Sequence, residues 1–251
     1  MTREEFTLIR DELTKVVINF EILQRKIHFL KCSYFIEYNE ELEQELYLKY
    51  ENQYLTQAIV KKADNESLES IDEYLESCKK EFDSIVRNFQ NKYKQYQEMA
   101  RRCEHYSAAD MEKLDQEFAD YCSLYHPVIK AHSTPLETNI YSTLASLYRT
   151  GNVVGFHNIL LESKDSFTST AVALEEYDVI ASFYKESLEN LKALTVKCGK
   201  EFPLDRENIF IEEAAHIREQ TRLRENNYKL REANISLHED FKLHFEKDFS
   251  L

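Results

Sequence analysis

The chain has 251 residues, 31 % of them charged and 43 % hydrophobic, with a formal net charge of −14. That balance is globular rather than disordered, and it argues against nucleic acid or an acidic membrane surface as a ligand, because both need a clustered basic face. With only 3 Gly and 3 Pro, turns are few and elements long; the abundance of Glu, Lys, Leu and Gln makes those elements helices, so the chain is read as all-α.

In the first helix Phe6, Ile9, Leu13, Val16, Phe20, Leu23, Ile27, Leu30 and Tyr34 recur at alternating steps of three and four. This heptad seam is what a coiled coil requires. Leu8, Val17 and Ile18 widen it, so a bundle position competes with a self-association seam joining two copies of the chain. A second helical stretch runs from Tyr38 to about Lys62, and the chain either bends near 37–41 or continues straight. The polar break Ala63-Asp64-Asn65-Glu66 offers Asp or Asn to cap a third helix. That helix carries Leu68, Ile71, Leu75, Cys78, Phe82, Ile85 and Phe89, with a phase slip at Tyr93 and Tyr96. Two long stripes across a short polar link predict an antiparallel helical hairpin.

Around Ser107 the elements shorten. Ser107 with Asp110 forms a capping-box pattern opening a helix through Met111, Leu114, Phe118, Tyr121 and Tyr125. Pro127 ends it, since the residue before a proline is pushed out of the α region. Thr134-Pro135-Leu136-Glu137 combines three start signals for the next helix, which carries Ile140, Leu144, Leu147 and Tyr148 and stops at Gly151. A short helix follows over Val153–Glu162. The last third reads as a helix from about Ser166 to Cys198, using Ala173, Tyr177, Ile180, Tyr184, Leu188 and Leu191, with Gly199 as C-cap. After the Phe202-Pro203 turn comes a final helix from about Arg206 with Leu223, Leu230, Leu237 and Phe241, giving a second hairpin. Three segments result: an N-terminal hairpin or coiled coil over 1–105, a short-helix module over 106–163, and a C-terminal hairpin over 164–251.

Chemical motifs are scarce. Cys32, Cys78, Cys103, Cys122 and Cys198 are scattered, odd in number and never in a C-x-x-C pair, which fits neither a disulfide framework nor a zinc site. Glu213 and His216 form one Glu-x-x-His pair of the di-iron type, but no second pair exists, and an exposed helix face accounts for them better. Gly151, Gly155 and Gly199 make no phosphate-cradling loop. The basic pairs Lys61-Lys62, Lys79-Lys80 and Arg101-Arg102 have acidic neighbours. No catalytic residues, cofactor or metal are expected. Val16-Val17-Ile18 falls far short of the roughly 20 apolar residues of a membrane helix, and residues 1–10 hold no apolar leader, so the chain reads as cytoplasmic.

The segment from Ser107 to about Leu161 resembles the helix II, His-Pro-Asp loop and helix III region of J-domain co-chaperones. The matching residues are Phe118-Ala-Asp-Tyr-Cys-Ser-Leu-Tyr125, His126-Pro127-Val128, Leu136 to Tyr148, and Gly151-Asn152. More broadly, the chain is similar to bacterial proteins in which a J-like segment lies between long helical arms. The resemblance implies a partner-binding loop at His126, Pro127 and Val128 and an ATPase chaperone as partner. Two departures weaken that implication. Val128 stands where the acidic residue belongs, and the preceding helix has five acidic residues and one lysine where a basic face is expected. Like-sign charge opposes docking. The expectation is therefore a non-enzymatic helical scaffold binding protein partners, itself among them, with a degenerate J-like module; chaperone binding through His126-Pro127 is the alternative, and an uncharted bundle enzyme or metal protein the third.

Overall fold

Side-chain caps at Thr2, Ser67, Ser107, Thr134 and Asn152 fix helix starts along the chain. A computed structural model describes residues 1–168, 171–249 and 251. Within them the protein is all-α, with no strand. The helices are α1 (Arg3–Glu37), α2 (Asn39–Ala63), α3 (Leu68–Glu104), α4 (Ala108–Tyr125), α5 (Pro135–Arg149), α6 (Val153–Glu162), α7 (Tyr177–Cys198) and α8 (Glu213–Phe245), with 3-10 turns at Leu174–Glu176 and Leu204–Phe210. None of these helices is long and apolar enough to cross a membrane.

Both capping boxes form. Ser107 Oγ accepts the Asp110 N–H at 3.2 Å while Asp110 accepts the Ser107 N–H at 2.9 Å. Thr134 and Glu137 repeat the exchange at 3.2 and 2.7 Å. At α3 the cap is Ser67, whose hydroxyl accepts the Ser70 N–H, rather than Asp64 or Asn65; Asn65 instead takes a left-handed conformation, φ 61°, in the link. Gly151 has φ +63°, and a Cβ there would lie 2.8 Å from Cys103 Sγ, so glycine is favoured on two counts. Gly199 ends α7 in a right-handed conformation, φ −64°, so it is not the left-handed cap its position suggests. Only Tyr38 separates α1 from α2, and helical bonding continues through it, from Tyr38 N–H to Tyr34 and from Leu42 N–H to Tyr38. Helix α7 starts later than the sequence suggests: Thr168 gives its N–H and its hydroxyl to Glu137 of α5 instead of entering a helix; positions 169 and 170 of that expected helix lie outside the described residues.

Contacts divide the chain into two units, one of residues 1–32 with 98–206, the other of residues 33–97 with 207–251. The division falls inside α1 and α3, and so does not follow the three consecutive segments read from the sequence. The first unit buries Phe6, Leu13 and Val17 of α1 with Leu114, Phe118 and Cys122 of α4, Tyr141, Leu144 and Tyr148 of α5, Phe156 of α6, and Ala181, Tyr184 and Leu188 of α7. Helices α4 and α5 run antiparallel, with Phe118 stacked on Tyr148 at 3.9 Å and Tyr121 on Tyr141 at 6.1 Å.

In the second unit α2 and α3 form the antiparallel hairpin read from the sequence. Tyr50 meets Phe82 near its open end, at 5.7 Å between rings, and Gln57 bonds Tyr74 near the link. Helix α8 lies parallel to α2: Asn227 donates to the Glu41 carbonyl at 2.8 Å, and Asn234, seven residues on, donates to the Leu48 carbonyl at 2.9 Å. The expected α7–α8 hairpin thus gives way to separate partners, α7 in the core of the first unit and α8 along α2.

The inward line of α1 also departs from the heptad seam. After Leu13 the buried positions step by four, through Val17, Glu21 and Arg25, before Cys32. A straight helix of 3.6 residues per turn drifts against a 3.5 repeat, and two buried charges take the places next in phase.

Candidate functional site

The loop joining α4 to α5 in the first unit begins at His126, which has left the helix (φ −61°, ψ 129°) while its N–H still reaches the Cys122 carbonyl at 3.1 Å. Its own carbonyl then accepts the N–H groups of Ile129 and Lys130 at 2.8 and 2.9 Å, closing a tight turn over Pro127 and Val128. The imidazole turns back into the unit. Val128 N–H donates to His126 Nδ1 at 3.1 Å, so that nitrogen acts as an acceptor. The opposite nitrogen, Nε2, faces Glu21 Oε1 of α1 at 3.8 Å, and the ring packs edge-on against Tyr141 at 4.8 Å. With a side chain only 13 % exposed, His126 presents little surface to a partner. Val128 packs against the apolar core, a role an aspartate could not fill.

Glu21 ties this loop to two helices. Its carboxylate accepts a forked pair of bonds from Arg149 at the end of α5, Nη2 to Oε2 at 2.7 Å and Nε to Oε2 at 3.1 Å. Burial works to raise the Glu21 carboxyl, but the His126 ring and the Arg149 guanidinium outweigh it and hold the group below its ordinary value. Nearby, Cys122 Sγ and Tyr141 Oη lie 3.4 Å apart. Burial pushes the Cys122 thiol up to about 12, so little thiolate is present at neutral pH and the residue is a poor nucleophile.

The far side of the loop is fastened by a second buried pair. Lys130 donates to Glu137 with each side chain 1 % exposed. Glu137 also accepts the N–H groups of Thr134 and Thr168 and the Thr168 hydroxyl, while Lys130 reaches Thr168 Oγ1 at 2.9 Å. Burial would raise the Glu137 carboxyl; the lysine and the two N–H groups hold it well below the ordinary carboxylate range. Tyr184 of α7 donates to the Ile129 carbonyl. His126-Pro127-Val128 is thus a closed turn, clamped by α1, α5 and α7.

Of the seam residues, Phe6 and Leu13 are buried within their own chain, Phe6 stacked on Tyr177 at 4.3 Å, and Ile9 and Val16 pack against the same core. Phe20, Leu23, Ile27 and Leu30 are half-buried. Two carboxylates of the acidic helix α4, both partly exposed, are paired within the unit, Asp115 with Arg25 and Glu117 with His157. Glu213 is exposed, whereas His216 is half-buried with Nδ1 2.8 Å from Tyr38 Oη. No group of three or more His, Cys, Asp or Glu side chains among the described residues is placed to hold a metal.

Sequence reading passed over Glu21, Arg149, Lys130 and Glu137 as bonded partners of the loop. A glutamate or arginine on a helix looks like a solvated face, and only the break of the apolar period at Glu21 and Arg25 signals otherwise. Comparison of the chain with family models, with curated proteins and with solved structures returns no match.

Proposed function

We propose that this is a cytoplasmic, non-enzymatic helical scaffold that binds protein partners, and that its α4–loop–α5 segment is a J-like module kept as a structural joint. The observation that carries the reading is the inward His126, held by Val128 N–H and facing Glu21. A loop that stimulates a chaperone must offer its residues to the partner; here the imidazole is turned inward and the half-buried Val128 packs against the core. The raised Cys122 thiol and the ion-paired carboxylates likewise favour a structural over a catalytic role.

Measuring ATP hydrolysis by a purified ATPase chaperone, with and without this protein, tests the reading. Wild type and His126→Gln should both leave the rate unchanged, while His126→Gln lowers the melting temperature. Stimulation by wild type that His126→Gln abolishes at unchanged melting temperature would establish the chaperone reading instead.

A further inference from the structure

The inward line of α8 is that of a zipper strand interrupted by two amides. Leu223, Leu230 and Leu237 recur every seven residues, and Asn227, Asn234 and Phe241 recur every seven residues beside them. Asn227 and Asn234 are each 3 % exposed, and Phe241 is 1 % exposed. At both ends the packing is apolar: Leu223 joins Tyr34, Tyr38 and Ile209, while Phe241 joins Tyr54, Leu55 and Ile71. Between them the contact is polar. Besides the two backbone carbonyls of α2, Asn227 reaches Gln44 at 3.3 Å and Asn234 reaches Glu51 at 2.8 Å, while Asn52 donates to Asn234 at 3.0 Å.

This arrangement carries an energetic penalty. Asn227 Oδ1 is buried without a hydrogen-bond partner, a direct desolvation cost. Leucine at either position would extend the apolar line of Leu223, Leu230 and Leu237 along α8. A buried asparagine on the core line of a parallel helix pair lowers stability and fixes register and partner number. Both amides bond α2 carbonyls that are themselves seven residues apart, so displacing α8 by a residue or two breaks both bonds at once.

We propose that Asn227 and Asn234 are a register lock: they confine α8 to one parallel alignment on α2 of its own chain, at a cost in stability. Without them the leucine line of α8 pairs in more than one way, including exchange with a second copy of the chain.

The test replaces both amides, as Asn227→Leu/Asn234→Leu, in a chain that also carries Glu45→Cys and Asn226→Cys. Glu45 and Asn226 are half-buried neighbours, 2.9 Å apart through their side chains. Oxidised glutathione should join these cysteines within one chain when the asparagines are present. In the leucine background the melting temperature should rise by about 5 °C, a fraction of the disulfide should form between chains on a non-reducing gel, and light scattering should report larger species. A lower melting temperature would show the amides to be ordinary stabilising bonds, and a higher one with the cross-link still wholly intrachain would show that they do not choose the register; either overturns the lock. Should leucine overpack, the valine pair, closer in volume to asparagine, is read by the same criteria.

Discussion

Replacing Lys130 with methionine should be among the most damaging single changes outside the apolar core. The ammonium and the Glu137 carboxylate are each 1 % exposed, so removing the lysine leaves a carboxylate buried with three hydrogen bonds but no countercharge. Breaking a buried pair from one side costs about 3–5 kcal/mol, several times an exposed pair. For a chain of this length that corresponds to a fall in melting temperature of roughly 10 °C. Glu137→Gln neutralises the acid yet keeps an acceptor for the Thr134 N–H, so Lys130→Met/Glu137→Gln should recover at least half of the loss. Thermal unfolding followed by circular dichroism, run as a double-mutant cycle, measures the coupling. A cost below about 1 kcal/mol for Lys130→Met, or a double variant as unstable as the sum of the singles, would show that Lys130 and Glu137 are not a coupled buried pair.

The same carboxylates set the acid limb. Glu21 and Glu137 are both held below their ordinary value, so their contribution is complete above an unfolded carboxyl pKa of about 4.3 and is lost as pH falls toward the folded values. Melting temperature should therefore decline on acidification below about pH 4.5, and less steeply in Lys130→Met/Glu137→Gln; a rise over that interval would contradict the assignment. Gly151→Ala should destabilise by about 2 kcal/mol or more, combining a left-handed backbone with a clash at Cys103, and urea titration reads it. Removing the α4 cap, Ser107→Ala, should cost about 1 kcal/mol in the same assay. In native protein at pH 8, iodoacetamide should label the half-exposed Cys198 and spare the buried Cys122, as peptide mass spectrometry can check; equal labelling would mean that the α4–α5 core is open.

Elements whose signals are local were legible. Ser107-x-x-Asp110 and Thr134-Pro135-x-Glu137 name their helix starts because a cap needs only four residues, and the Ala63–Glu66 break announces the α2–α3 hairpin because its two stripes face each other across a short link. What depends on distant partners was hidden. Asn227 and Asn234 stand in phase with Leu223, Leu230 and Leu237, but a pattern read for apolar residues treats an amide as a gap. Adjacency in sequence suggested α7 as the partner of α8, whereas the carbonyls that Asn227 and Asn234 bond belong to α2. The His126 loop was found by its dipeptide; its inward orientation depends on Glu21, a residue more than a hundred positions away in the chain.

That the second unit combines α2 and α3 with α8 bears on how the protein is made. A ribosome finishes α2 at Ala63 and does not begin α8 until Glu213. At ordinary elongation speeds the interval is on the order of 10 s, far longer than a helical hairpin needs to form. Throughout that time the side of α2 around Glu41, Leu48 and Leu55 awaits its neighbour. Its outer portion is bordered by glutamates 41, 45 and 51, and such charge keeps an incomplete helical surface soluble and repels the same surface on a neighbouring nascent chain. The acidity of α2 would then protect the protein during synthesis, before Arg224 and His238 arrive to pair with Glu41 and Glu51.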